Sequence, residues 1–265
     1  MPFSITTVIR IIAVSLVMLT VSSCGSGGGT DSNNSAPQSG NVVITGVVTF
    51  DFVLATQAAG LNYSAITQKP VRNVIVEAIK ASDSSVLNST LSDDSGSYSL
   101  TAPANTNIII RVKAQMKELN TVAPSWDISI VDNTSAKALY VMDSAAFDSG
   151  SGSSGKNLNA GSGWGGVSYS STRAAAPFAI LDVIYKAASK IASADPNVTA
   201  PLLLINWSVN NTTASGDKSL GQISTSHYAS DTKELFILGK ADVDTDEYDD
   251  HVIAHEFGHY FEDRF

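Results

Sequence analysis

The chain has 265 residues, enough for one large domain or two modest ones, and its 43% hydrophobic and 15% charged content fits a globular protein. A formal net charge of -9 excludes nucleic-acid binding, because no basic surface is left to displace counterions from phosphates. The polar residues are mostly Ser, Thr, Asn and Asp, which favours strands and loops over long exposed helices.

The first residues read as a targeting segment. Arg10 supplies a positive charge, and the apolar run Ile11 to Val21 is too short for an ordinary membrane span. The stretch "VSSCGSGGG" comes next, with Val21, Ser22 and Ser23 directly before Cys24, the only cysteine in the chain. A lone cysteine can form no internal disulfide. The pattern resembles the lipobox of bacterial lipoproteins. That resemblance implies a signal peptide over 1–23, lipid attachment at Cys24 and an exported protein held on the membrane by its acyl chains. With Gly25 rather than Asp after the cysteine, it implies the outer membrane or cell surface in a Gram-negative cell. The Gly/Ser/Asn-rich residues 24–40 then read as a flexible tether.

A β-region begins at "NVVITGVVTFDF", where Val43, Thr45, Val47 and Thr49 alternate with Ile44, Gly46, Val48 and Phe50. In "KPVRNVIVEAIKA" Pro70 opens a second strand, with Val71, Val74, Val76 and Ala78 facing inward. Turn chemistry stands at Asp93 to Gly96, a strand starts near Tyr98, and "NTNIIIRVKAQ" is another. Short strands with polar turns predict a β-sandwich. The order of these pieces, from Val42 to Lys113, resembles the carboxypeptidase regulatory-like (transthyretin-like) β-sandwich. It implies a structural or binding appendage.

"WDISIVDN" and "KALYVMD" predict two more strands, which either complete the sandwich or bridge it to the next domain, giving a first domain over 41–145. Residues 146–166, rich in Gly and Ser, read as a linker or long surface loop. Residues 167–265 change character. Phe178, Leu181, Ile184, Tyr185, Ala188 and Ile191 recur at helical spacing and predict a helix over 174–192, ended by Asp195-Pro196. "APLLLINWSV" and "KELFILGKA" predict buried strands. An acidic loop then leads into a terminal helix, so the fold class is α+β and multidomain.

That last helix carries His255-Glu256-Phe257-Gly258-His259, an HExxH pattern. With Ile253 at zero and about 100° per residue, Phe257, Tyr260 and Phe261 form an apolar stripe within about 80°. His255 and His259 fall at about 200° and 240°, so their imidazoles converge from adjacent turns. Neutral imidazoles bind zinc, and Glu256 beside them suits a general base. From four His and six Glu in the chain, the pattern arises by chance about once in a thousand such sequences.

His251 extends the histidine row, but three side chains over eight helical residues span about 12 Å, too far to share one ion. His251 therefore reads as a residue supporting the site, and His227, on a loop in "STSHYAS", as another. Asp242, Asp244 and Asp246 alternate as in an EF-hand loop and offer a calcium reading. Glu247 replaces the glycine and Ile253 the last Glu, so capping of the helix, by Asp244 with Glu247 or Asp246 with Asp249, is preferred.

The stretch "DTDEYDDHVIAHEFGHYFED" resembles the active-site helix of zincin-type zinc metallopeptidases. The resemblance implies zinc bound by His255 and His259, Glu256 as general base, a peptide or protein substrate, and an edge strand near Leu235 to Leu238 for binding it by β-augmentation. The 167–265 region would then be the N-terminal part of a zincin-like domain. The third ligand departs from the family: Glu262 and Phe265 stand where metzincins need Gly and His, and other zincins take theirs from a later segment. The expectation is a truncated metallopeptidase. The alternative is a surface-anchored binding or adhesion lipoprotein with a degenerate zincin remnant. Nothing in the sequence points to an oligomer.

Overall fold

The alternation in "NVVITGVVTFDF" becomes β1 (Asn41–Thr56), which buries Val42, Ile44, Val48, Phe50 and Val53. The computed structural model describes residues 40–57, 60–117 and 123–265. The segments expected as a signal peptide, as a lipid-bearing Cys24 and, but for its last residue, as a tether lie outside the described residues.

β1 pairs antiparallel over its second half with β2 (Gly60–Pro70). Pro70 therefore closes a strand instead of opening one, and β3 (Ile75–Lys80) starts five residues later, in a hairpin with β4 (Val86–Leu91). The Asp93–Gly96 turn forms as expected. Asp93 accepts from the N–H groups of Ser95 and Ser97, Gly96 has a φ of 77°, and β5 (Ser97–Pro103) returns along the first half of β1. β6 (Asn107–Lys113) joins β3 in a second sheet.

β7 (Gln115–Lys117) and β8 (Asp127–Asp132) open a third sheet, with β9 (Ala138–Leu139) on β8. β10 (Val141–Asp143) and β11 (Phe147–Asp148) go back to β6. The two strands expected after Trp126 thus serve different sheets and bridge the halves of the chain.

Residues 146–166, expected as a linker or surface loop, are folded in. β12 (Ser154–Gly155) and β13 (Leu158–Ala160) run parallel to β1, and Leu158 and Ala160 are buried. Gly46 permits this docking. A Cβ there would stand 2.0 Å from the Lys156 carbonyl oxygen, which also accepts the Tyr98 hydroxyl. One hydrophobic core consequently spans both expected domains, from Val42 to Tyr260.

The remaining elements are α1 (Ala175–Ala194), β14 (Leu203–Trp207), β15 (His227–Ala229), β16 (Glu234–Ile237), β17 (Gly239–Lys240), β18 (Asp244–Thr245) and α2 (Asp250–Arg264). The third sheet has the order β15-β16-β14-β8-β7, with β8, β14 and β16 parallel and β15 antiparallel at one edge. α1 buries Phe178, Ile180, Leu181 and Ile184 in the common core, and its buried Asp182 is held by Arg72 and, at 2.9 Å, by Lys186. The fold is mixed α+β, rich in sheet, with two α-helices among the described residues. No described helix is long and apolar enough to cross a membrane.

Candidate metal centre

α2 begins where its first N–H groups find an acceptor. Asp249 is the N-cap, and its Oδ1 accepts from the N–H groups of His251 at 2.9 Å and Val252 at 3.1 Å. Asp250 in the first turn and Arg264 in the last complement the helix dipole. Capping was expected of the acidic run, but Asp249 is the cap itself and not the third residue of a box begun at Asp246. Ile253, Phe257 and Tyr260 face the core as expected, and the Tyr260 hydroxyl donates to the Pro201 carbonyl at 2.6 Å. Phe261 does not join the stripe: it is 37% exposed and stacks on Phe265. At about 80° from the stripe's centre it lies past the rim of the buried face.

On the opposite side, His255 and His259 are exposed, with their Nε2 atoms 3.1 Å apart and their rings near perpendicular. Two nitrogens at about 2.0–2.1 Å from one tetrahedral zinc would stand about 3.3–3.4 Å apart, so this pair fits two positions of such an ion. Glu262 lies 3.8 Å from His259 Nδ1, on the ring edge away from His255.

Glu256 does not point freely into solvent. Its Oε2 accepts the backbone N–H of Tyr228 in β15 at 2.8 Å. The Tyr228 ring meets Tyr260 edge-on, and its hydroxyl donates to Asp263, which also holds Lys233 at 2.7 Å. Edge strand and helix are thus clamped by one backbone and two side-chain contacts. Burial and the Asp263 carboxylate push the Tyr228 phenol well above its ordinary pKa, while Lys233 and Tyr228 hold Asp263 below the usual carboxylate range. The strand beside the motif is β15, not the Leu235–Leu238 segment expected at the edge. β16 is interior, between β14 and β15.

His227 and Tyr228 point to opposite faces of β15, as successive strand residues must. With Tyr228 toward α2, His227 stacks on Phe236 at 5.3 Å, its Nδ1 bonded to the Thr225 carbonyl and its Nε2 3.0 Å from Lys218. It therefore lies away from the histidine pair and does not support it. His251 is exposed one turn before His255, and its backbone N–H is bonded to Asp249.

The acidic run does not assemble a calcium loop. Asp246 is half-buried and accepts the Ser226 hydroxyl at 2.5 Å, and burial pushes its carboxyl up to about 6. Asp242 and Asp244 are exposed. Among the described residues, no group of three or more His, Cys, Asp or Glu side chains could hold a metal. α2 brings two imidazoles together, while the Glu256 carboxylate is engaged by the Tyr228 N–H.

One residue, Arg173, escaped the sequence reading, and Glu247, expected in a capping box with Asp244, is buried in an ion pair with it instead. Arg173, 5% exposed, precedes α1, and Glu247, 0% exposed, precedes α2. They form a buried ion pair, and Arg173 also donates to the Gly239 carbonyl and lies over the rings of Tyr169 and Trp207. The pair fixes the approach to α2. Its only signal in the sequence was a glutamate among aspartates, two residues before the cap.

No protein-family model matches the chain, and no curated protein matches it. Among solved structures it is similar to a 9R-lipoxygenase from Cyanothece PCC8801, at 13% identity and a TM-score of 0.20, covering 51% of this chain and 18% of that one. It is also similar to the major plantain pollen allergen Pla l 1, at 12% identity and a TM-score of 0.23, covering 45% of this chain and 90% of that one. The chain thus spans less than a fifth of the lipoxygenase. Neither likeness is strong enough to carry an argument about fold or function.

Proposed function

We propose that α2 carries the metal-binding part of a zinc hydrolase site acting on peptide bonds, in an exported lipoprotein anchored through Cys24. The observation that supports this reading best is the 3.1 Å approach of the His255 and His259 Nε2 atoms beside Glu256. Zinc held there would supply Lewis acidity, lowering the pKa of water toward about 7 and polarising a carbonyl. Glu256 takes up the proton released by water and returns it to the leaving amine. β15 is the edge strand alongside the helix, and an extended peptide pairing with it would take the Tyr228 N–H from Glu256. In this reading, the sheet from β15 to β8 with α1 and α2 is a zincin-type arrangement, and residues 41–145 are the carboxypeptidase regulatory-like sandwich, with the residues after them packed against it.

The alternative, a surface-anchored binding or adhesion lipoprotein with a zincin remnant, draws on the two-histidine donor set, since catalytic zinc sites use three protein ligands. Cleavage of casein and of a quenched fluorescent peptide library, with zinc supplied, separates the two. The peptidase reading expects cleavage that Glu256→Gln removes while zinc content stays unchanged. Absence of cleavage, or equal cleavage by Glu256→Gln, sinks it.

A further inference from the structure

A cavity of about 220 Å³ opens where the carboxyl ends of β8 and β14 meet the start of α1, and none of its lining residues belongs to α2. Pro177 and Phe178 of α1 and Trp207 of β14 line it, all buried. Val141 and Val209 also line it and are 44% and 47% exposed, which puts an apolar rim at its mouth.

The polar lining is sparse and specific. Arg173 spends its two terminal nitrogens on Gly239 and Glu247, and its buried Nε–H has no acceptor among the described residues. A buried donor without a partner is unfavourable, and an incoming oxygen would relieve it. The Tyr140 hydroxyl is engaged with the Trp207 carbonyl at 3.1 Å, and Asp132 Oδ1 with the N–H and hydroxyl of Thr134.

We propose that this cavity binds a small uncharged amphipathic molecule: an apolar ring or branched chain bearing one carbonyl or amide oxygen that accepts from Arg173 Nε–H. Size selects a small guest, since the volume falls below the ~300–1,000 Å³ of sites for drug-sized ligands. Charge selects a neutral one. The Arg173 cation is already answered by Glu247, an anion would meet Asp132, and a cation would meet Arg173.

The test is a titration of the full chain with benzamide, monitored by saturation-transfer NMR and by the Arg173 Nε–H cross-peak. Toluene, benzoate and benzylammonium serve as isosteric comparators. The proposal expects benzamide to bind at least tenfold more tightly than each comparator and to shift that cross-peak. It expects Val209→Arg and Val141→Arg, both at the exposed rim and both melting as wild type, to lose the binding at least tenfold. No binding by benzamide, equal binding by toluene, or binding unchanged in both rim variants would each overturn it.

Discussion

The Glu256 carboxylate accepts the Tyr228 backbone N–H at 2.8 Å, so the glutamate of the HExxH pattern is fastened to the edge strand β15. This couples the stability of the strand–helix contact to the residue proposed as the base. Glu256→Gln keeps an amide oxygen for that bond and should leave stability within about 0.5 kcal/mol while lowering hydrolysis about 10²-fold or more. Glu256→Ala leaves a part-buried N–H unmet and should cost about 1–3 kcal/mol. Urea melts of the two variants, beside their cleavage rates, check both figures.

Asp249 satisfies two N–H groups at the head of α2. Asp249→Ala should cost about 1 kcal/mol, and Asp249→Asn much less, since asparagine caps comparably. Hydrogen exchange at His251 and Val252 should rise in the alanine variant, because these amides lose their acceptor first.

The Arg173–Glu247 pair is almost completely buried. Removing one member strands the other, so Glu247→Leu alone should cost about 3–5 kcal/mol. The double variant Arg173→Met/Glu247→Leu leaves no stranded charge and should be more stable than either single one. A double-mutant cycle on denaturation midpoints measures this, and additive losses would contradict it.

Asp246 carries a carboxyl raised to about 6, first by burial and then by Asp244 and Asp249, against the lowering effect of Ser226. A carboxyl raised on folding favours the folded state most at low pH, below its unfolded pKa near 4. That contribution is lost as pH rises from about 4 through 6. Asp246→Asn should flatten this part of the stability–pH curve, read from thermal melts across that window.

Both helices were legible in the chain. The expected 174–192 and the observed Ala175–Ala194 differ by two residues at the far end, because Phe178, Leu181, Ile184 and Ala188 repeat with a strong period. The histidine pair was legible for the same reason, since four residues apart on a helix means adjacent in space. Partners distant in sequence were not. β13 is three residues among glycines and serines, and its pairing with β1 lies 110 residues away, so no local pattern announces it. β15 is equally short, and what makes it the edge is the order of β8, β14 and β16 beside it. Arg173 and Glu247 lie 74 residues apart, and only the folded chain brings them together.

Zinc binding tests the central claim most directly. Isothermal titration of zinc into metal-free protein, with His255→Ala and His259→Ala measured alongside, should give one site per chain that each variant weakens at least tenfold. No uptake by the wild-type chain, or uptake unchanged in both variants, would contradict the assignment of His255 and His259 as the metal ligands.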